Sequence, residues 1–168
     1  MLRKLFCMLI ILSSSLTGQT MKLTSSAFSH NSSIPSEYTC DGANISPALQ
    51  WSDAPQAANS FALIVDDPDA PGKVWVHWIL FNIPNTTQNL TENTQSGPFI
   101  QGATDFDGKR QWGGPCPPSG THHYRFTLYA LDNFLDLPAG ATKEQVIKAM
   151  EDHILAQTTL IGTYQRKK

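Results

Sequence analysis

Charge is scarce in this sequence. Asp, Glu, Lys and Arg make up 15% of the 168 residues and nearly cancel, leaving a formal net charge of −2. No general basic field is present to attract nucleic acid or an anionic lipid surface, so any anion site must be local. Long apolar runs are missing too: the run at residues 5–12 falls well short of the roughly 20 residues that cross a bilayer as a helix. There is no Gly-x-Ser-x-Gly elbow for a serine hydrolase, no His-Glu-x-x-His helix for a zinc protease and no Cys-x-x-Cys for dithiol chemistry. No internal repeat, low-complexity tract or linker interrupts residues 21–168, and the length suits one domain with its own core.

Eleven Gly and eleven Pro are spread among 40% hydrophobic residues, a composition of turn-rich β structure and not of a helix bundle. Residues 1–20 differ from the rest. Arg3 and Lys4 precede the apolar run and the small polar stretch 13–18 follows it, which is the order of a secretory signal peptide. The expected product starts near residues 19–21, inserts in no membrane, and is periplasmic or secreted as a single domain over residues 21–168. Losing Arg3 and Lys4 moves its formal charge to −4. Cys7 leaves with the signal while Cys40 and Cys116 remain. An even pair in an oxidising compartment is expected to form a Cys40–Cys116 disulfide, the alternative being two separated buried thiols.

Three segments carry strand patterns. Residues 61–65 are almost wholly apolar and stop at Asp66-Asp67-Pro68, as a strand buried on both faces does. Residues 74–83 form a second such run closed by Pro84, and residues 124–131 alternate with the period of a half-buried strand. One helix is expected: Thr142 with Gln145 makes a capping box, and Val146, Ile147, Met150, Ile154 and Leu155 recur on one face as a core stripe. Residues 160–164 suit a last short strand before a solvated tail of Arg166, Lys167 and Lys168.

Chemistry concentrates in two stretches. Asp66, Asp67 and Asp69 place three carboxylates in four positions at a strand end, where solvent, a cation or donors from elsewhere must offset their repulsion. Pro68 and Pro71 restrict their directions. His77 follows inside a run of bulky apolar residues, where an imidazole must find a hydrogen-bond partner or stay neutral. The second stretch, Gly113-Gly114-Pro115-Cys116-Pro117-Pro118-Ser119-Gly120-Thr121-His122-His123-Tyr124, combines conformational freedom with stiffness and can offer backbone N–H groups to an anion. In a strand His122 and Tyr124 face one way and His123 the other. On these residues alone, each stretch reads equally as a structural turn or as a site.

Asp67-Pro68-Asp69-Ala70-Pro71 with His77-Trp78 beyond it, and the stretch 113–124 leading into a strand, closely resemble the phosphatidylethanolamine-binding protein family, in particular its bacterial Raf-kinase-inhibitor-like branch. The resemblance extends to Tyr38-Thr39-Cys40-Asp41-Gly42, Asn44-Ile45-Ser46-Pro47 and Ile161-Gly162-Thr163-Tyr164. It implies a mainly β fold, a β-sandwich of two sheets with a few short helices. It also implies a pocket lined by Asp67, Asp69, Trp75, His77, Pro117, Pro118, His122 and Tyr124 that takes phosphate- or carboxylate-bearing ligands. Where the family usually has Arg, this chain has His123, so the ion pair of that Arg is in question. The expected function is binding of a small anion or phospholipid head group, with no cofactor or metal and with a protein partner as a further role. An aspartate, Asp67 against His77, is expected to orient an imidazole toward the ligand. The alternatives are a hydrolase using Asp67 with His77 or His122 as general base, a metal site on the same groups, and a protease or kinase inhibitor without a ligand role.

Overall fold

The apolar run that opens at Ser60 becomes the centre of the larger of two sheets. A computed structural model describes residues 20–166; residues 1–19 of the expected signal segment, and Lys167 and Lys168, lie outside them. In chain order the strands are β1 (Lys22–Ser25), β2 (Ser32–Ser33), β3 (Leu49–Ser52), β4 (Ser60–Asp67), β5 (Trp75–Pro84), β6 (Asn89–Leu90), β7 (Ile100–Gln101), β8 (His122–Leu131) and β9 (Ile154–Tyr164), with helix α1 (Lys143–Met150) between the last two. Strands β1, β3 and β6 make a small sheet, and the large sheet runs in the order β2-β9-β8-β4-β5-β7. All pairs are antiparallel except β2 with β9. The fold is therefore mainly β, with two sheets, as the resemblance implied.

Strand β4 is buried along its whole length because each of its faces has a cover. Phe61, Leu63 and Val65 pack toward the small sheet, in a core with Leu23, Leu49, Trp51, Trp78, Phe126 and Leu128. Ala62 and Ile64 pack on the opposite face, with Ile79, Phe81, Val146 and Met150. This explains why the run shows no alternation: a strand sandwiched between a sheet and a helix needs apolar residues at every position. The strand continues through Asp66 and Asp67 instead of stopping before them, so alternate faces also receive alternate carboxylates.

The capping box of α1 forms as expected: Gln145 N donates to Thr142 Oγ1 at 3.4 Å and Thr142 N to Gln145 Oε1 at 2.9 Å. The expected core stripe is shorter than the sequence pattern. Val146 and Met150 are buried, but Ile147 is 41% exposed, and Ile154 and Leu155, each 40% exposed, belong to β9. Pairing of Ile154 with Leu131 at the head of the long β8–β9 ladder captures these residues, so tertiary strand pairing overrides the helical period. For the same reason β9 begins at 154 and not at 160.

Cys40 and Cys116 are joined by a disulfide, with Cα atoms 5.4 Å apart. It ties the turn after the 3-10 segment Ser36–Tyr38 to the loop that precedes β8.

Candidate functional site

The three clustered carboxylates do not share a cation; each has its own partner. Asp66 points to the helix side, where Arg125 of β8 donates from Nε and Nη2 at 2.7 and 3.0 Å and Lys143 of α1 donates at 2.5 Å. Asp67, on the other face, accepts from Nδ1 of His122 at 2.7 Å and from the backbone N–H of Asp69 at 2.8 Å. Asp69 accepts from both the backbone N–H and Nδ1 of His123, at 2.8 and 2.7 Å. The hydrogen bond from His123 holds the Asp69 carboxyl below the usual carboxylate range. His123 thus holds Asp69 by hydrogen bonds on the outer face of β8, at the position where the sequence left the usual Arg's partner in question.

His77 reaches the site through an irregularity. Val65 pairs with Trp78 and Asp66 with Val76, so His77 is the extra residue of a β-bulge, a feature that re-aims a side chain. Strict alternation would turn His77 away from Trp78; instead its ring packs edge-on against Tyr124 and Phe106, with centroids 5.1 and 5.3 Å apart. Its Nδ1 donates to the carbonyl of Gly113 at 2.5 Å. The expected Asp67–His77 pair is therefore corrected: Asp67 holds His122, and a backbone carbonyl holds His77. Burial pushes the His77 imidazole below its ordinary value of 6.5, only partly opposed by that hydrogen bond.

The sign of the resulting stability effect follows from proton counting. Below 6.5 the unfolded chain protonates this histidine while the folded chain resists, so stability falls as pH drops from about 6.5 toward the depressed folded value. Wild-type denaturation midpoints should show this acid loss. His77→Asn, which retains a donor toward Gly113, should flatten it; an unchanged slope would remove His77 as its source.

The loop before β8 is fastened by backbone contacts that only glycine allows. Gly113 N donates to His77 O at 3.0 Å and Gly114 N to Asn44 Oδ1 at 2.8 Å. A Cβ on Gly114 would lie 2.3 Å from Asn44 Oδ1 and 2.5 Å from Tyr38 O, and one on Gly113 would lie 2.3 Å from the Phe106 ring. Trp112 Nε1 donates to Tyr38 O at 3.2 Å and Cys40 N to Pro115 O at 3.1 Å. The motifs around residues 38–47 thus hold the loop from behind.

Together these elements enclose a cavity of about 370 Å³, within the range of small-molecule sites. Asp67, Trp75, His77, Pro117, Pro118 and His122 line it, as do Ala70, Pro71, Phe106 and Cys116, which the resemblance did not place in the pocket. Asp69 and Tyr124 do not. Asp69 is turned outward by His123, and Tyr124 lies behind the His77 ring with 1% exposure. The Tyr124 hydroxyl is buried with no hydrogen-bond partner, and burial raises its pKa above the ordinary phenol range, so it remains a donor. Phe106 carried one faint sequence signal, an aromatic set in the polar turn Asp105-Phe106-Asp107-Gly108. Asp105 holds that turn to β5, accepting from Val76 N at 2.7 Å.

With Nδ1 of both histidines engaged inside the protein, Nε2 is the ring nitrogen left to each for a ligand. His77, neutral, presents an acceptor; His122 presents a donor when protonated, with Asp67 as counter-charge. The floor is polar at these points and the walls are apolar. Among the described residues, no three His, Cys, Asp or Glu side chains converge in a metal-holding group.

Comparison with known proteins agrees with this picture. Residues 24–165 match the model of the family described as phosphatidylethanolamine-binding protein. A protein of Methanothermobacter thermautotrophicus, named UPF0098 protein, is 52% identical over 151 residues, covering 87% of this chain and 99% of its own. The crystal structure of a Chlamydia trachomatis homologue of phosphatidylethanolamine-binding protein superposes with a TM-score of 0.84 at 43% identity, over 88% of this chain and 99% of that one. Escherichia coli YbcL, described as a member of the mammalian PEBP family, superposes at 0.82 with 30% identity, over 89% and 100%. On the family match, the identity and the shared fold together, this chain belongs to the phosphatidylethanolamine-binding protein family.

Proposed function

We propose that the cavity binds a small anion carrying phosphate or carboxylate, such as a phospholipid head group, and that the chain does so outside the cytoplasm as a periplasmic or secreted protein. The observation that carries the reading is the buried His122–Asp67 pair at 2.7 Å, which leaves the outer nitrogen of His122 to a ligand. A protonated phosphate monoester has oxygens to accept from His122 and a P–OH to donate to His77 Nε2. The apolar walls of Trp75, Phe106, Pro117 and Pro118 lower the local polarity and strengthen these bonds. The extracytoplasmic location is supported by the Cys40–Cys116 disulfide and by a Mycobacterium tuberculosis relative, LppC, 40% identical and named as a lipoprotein.

The test is calorimetric titration with O-phosphoethanolamine, inorganic phosphate and acetate between about pH 5 and 8, the window in which an ordinary histidine titrates. Affinity should weaken as pH rises; no binding anywhere in that window would end the reading. The same Asp67–His122 geometry favours one second reading, a general base for hydrolysis. Turnover of p-nitrophenyl phosphate or acetate that disappears in His122→Ala would establish it.

A further inference from the structure

We propose that the Cys40–Cys116 disulfide is a thiol-exchange site at the pocket rim, and that its reduction by a dithiol releases the wall of the anion pocket without unfolding the sheets. The effect on ligand affinity rests on the anion-pocket reading; the release of the wall does not.

Both cysteines are exposed, and Cys116 itself lines the cavity beside Pro117 and Pro118. The two ends of the bridge are held very differently. Next to Cys40, Asp41 accepts from Tyr164 Oη at 2.9 Å and from Arg166 Nη2 at 2.8 Å, Thr39 Oγ1 donates to Ser36 O at 2.8 Å, and Gly42 N donates to Thr39 O at 3.0 Å. Next to Cys116, prolines at 115, 117 and 118 remove backbone donors. Among the described residues, residues 116–120 make no hydrogen bond to another backbone group; the ties at this end are the Cys40 N to Pro115 O bond and an approach of the Cys116 backbone to the Tyr124 hydroxyl. The disulfide is thus the principal tether of the segment that carries three cavity residues, and the pinned partner is not the one that would move. The sheets do not depend on it, since β4, β5, β8 and β9 are joined by continuous ladders.

Attack at either sulfur opens the bridge, and attack at the pinned Cys40 frees Cys116 directly. A thiolate of the dithiol attacks Cys40 Sγ, the S–S bond breaks, and Cys116 leaves and takes a proton. The second thiol of the reductant then attacks the mixed disulfide and frees Cys40 as a thiol. The protein gains two electrons and two protons, and the dithiol loses them in becoming a disulfide. Because Cys116 forms part of the cavity, an occupied pocket opposes release, and the coupling must be reciprocal.

Oxidised and dithiothreitol-reduced protein, with thiols counted by alkylation and mass, are to be compared by amide hydrogen exchange and by titration with O-phosphoethanolamine. Reduction should raise exchange at Cys40, whose amide donates to Pro115 O, and at Gly114, whose amide donates to Asn44, while β4 and β8 stay protected. It should weaken the ligand roughly tenfold, and saturating ligand should slow reduction. The Cys40→Ser, Cys116→Ser double variant should show the same loop exchange without reductant. Unchanged loop exchange in the reduced protein would overturn the proposal, and so would exchange spreading through the whole sheet, which would make the bridge a global staple. If neither form binds the ligand but loop exchange rises, the exchange site stands and the anion reading falls.

Discussion

His122→Ala is expected to weaken O-phosphoethanolamine binding by about 10- to 150-fold at pH 6, the equivalent of one charge-assisted hydrogen bond of roughly 1.5–3 kcal/mol. His122 is 7% exposed and its Nδ1 is fully committed to Asp67, so its orientation leaves one nitrogen for the ligand and no alternative pose. Asp67→Asn should act through the same imidazole by removing the counter-charge and permitting the wrong tautomer. The two substitutions should therefore be strongly non-additive, the double variant binding little worse than His122→Ala. Additive losses in the cycle would mean that Asp67 and His122 serve the ligand separately, and unchanged affinity in both singles would remove the pair from the site.

The largest effect on stability should come from the other face of β4. Asp66→Ala removes a carboxylate whose side chain is 7% exposed and leaves Lys143, 18% exposed, beside an apolar cluster without its partner. Breaking such a buried pair costs roughly 3–5 kcal/mol, which the 40% exposure of Arg125 reduces to about 2–4 kcal/mol. Chemical denaturation reads this directly. Adding Lys143→Met should recover part of the loss, because the stranded charge is the main cost; a double variant worse than Asp66→Ala would contradict that account. The pair also fastens α1 to the sheet, so the helix should lose protection first.

Much of this arrangement could be read in the residues. The apolar run at 61–65 and the alternation at 124–131 announced β4 and β8 because each records what covers its faces, and the capping box announced α1. Asp67, His77 and His122 stood out because polar groups set in apolar strands must meet partners. Their pairing was not legible. Which imidazole meets Asp67 depends on the bulge at His77, and a bulge is one residue of extra length in one strand that no periodicity records. Asp69 was misplaced for a related reason: its outward turn depends on His123, whose position on the far face was legible but whose partner was not. Ala70 entered the cavity through loop geometry alone, and Phe106 through a polar turn in which its lone aromatic ring was the one faint signal. The helix was overextended to Leu155 because a helical period of apolar residues is indistinguishable from the start of a strand until the β8 partner is known.

The central claim is that one cavity, built on Asp67 and His122, receives a small anion. Titrating ¹⁵N-labelled protein with O-phosphoethanolamine at pH 6 tests it most directly, by following the backbone amides and the imidazole nitrogens of His77 and His122. The account predicts saturable shifts at Gly113, Gly114 and His122, with His122 Nε2 moving toward its protonated position, and loss of these shifts in His122→Ala. Saturable shifts elsewhere with the His122 and Gly113 signals unmoved, or no saturable shift at all, would contradict it.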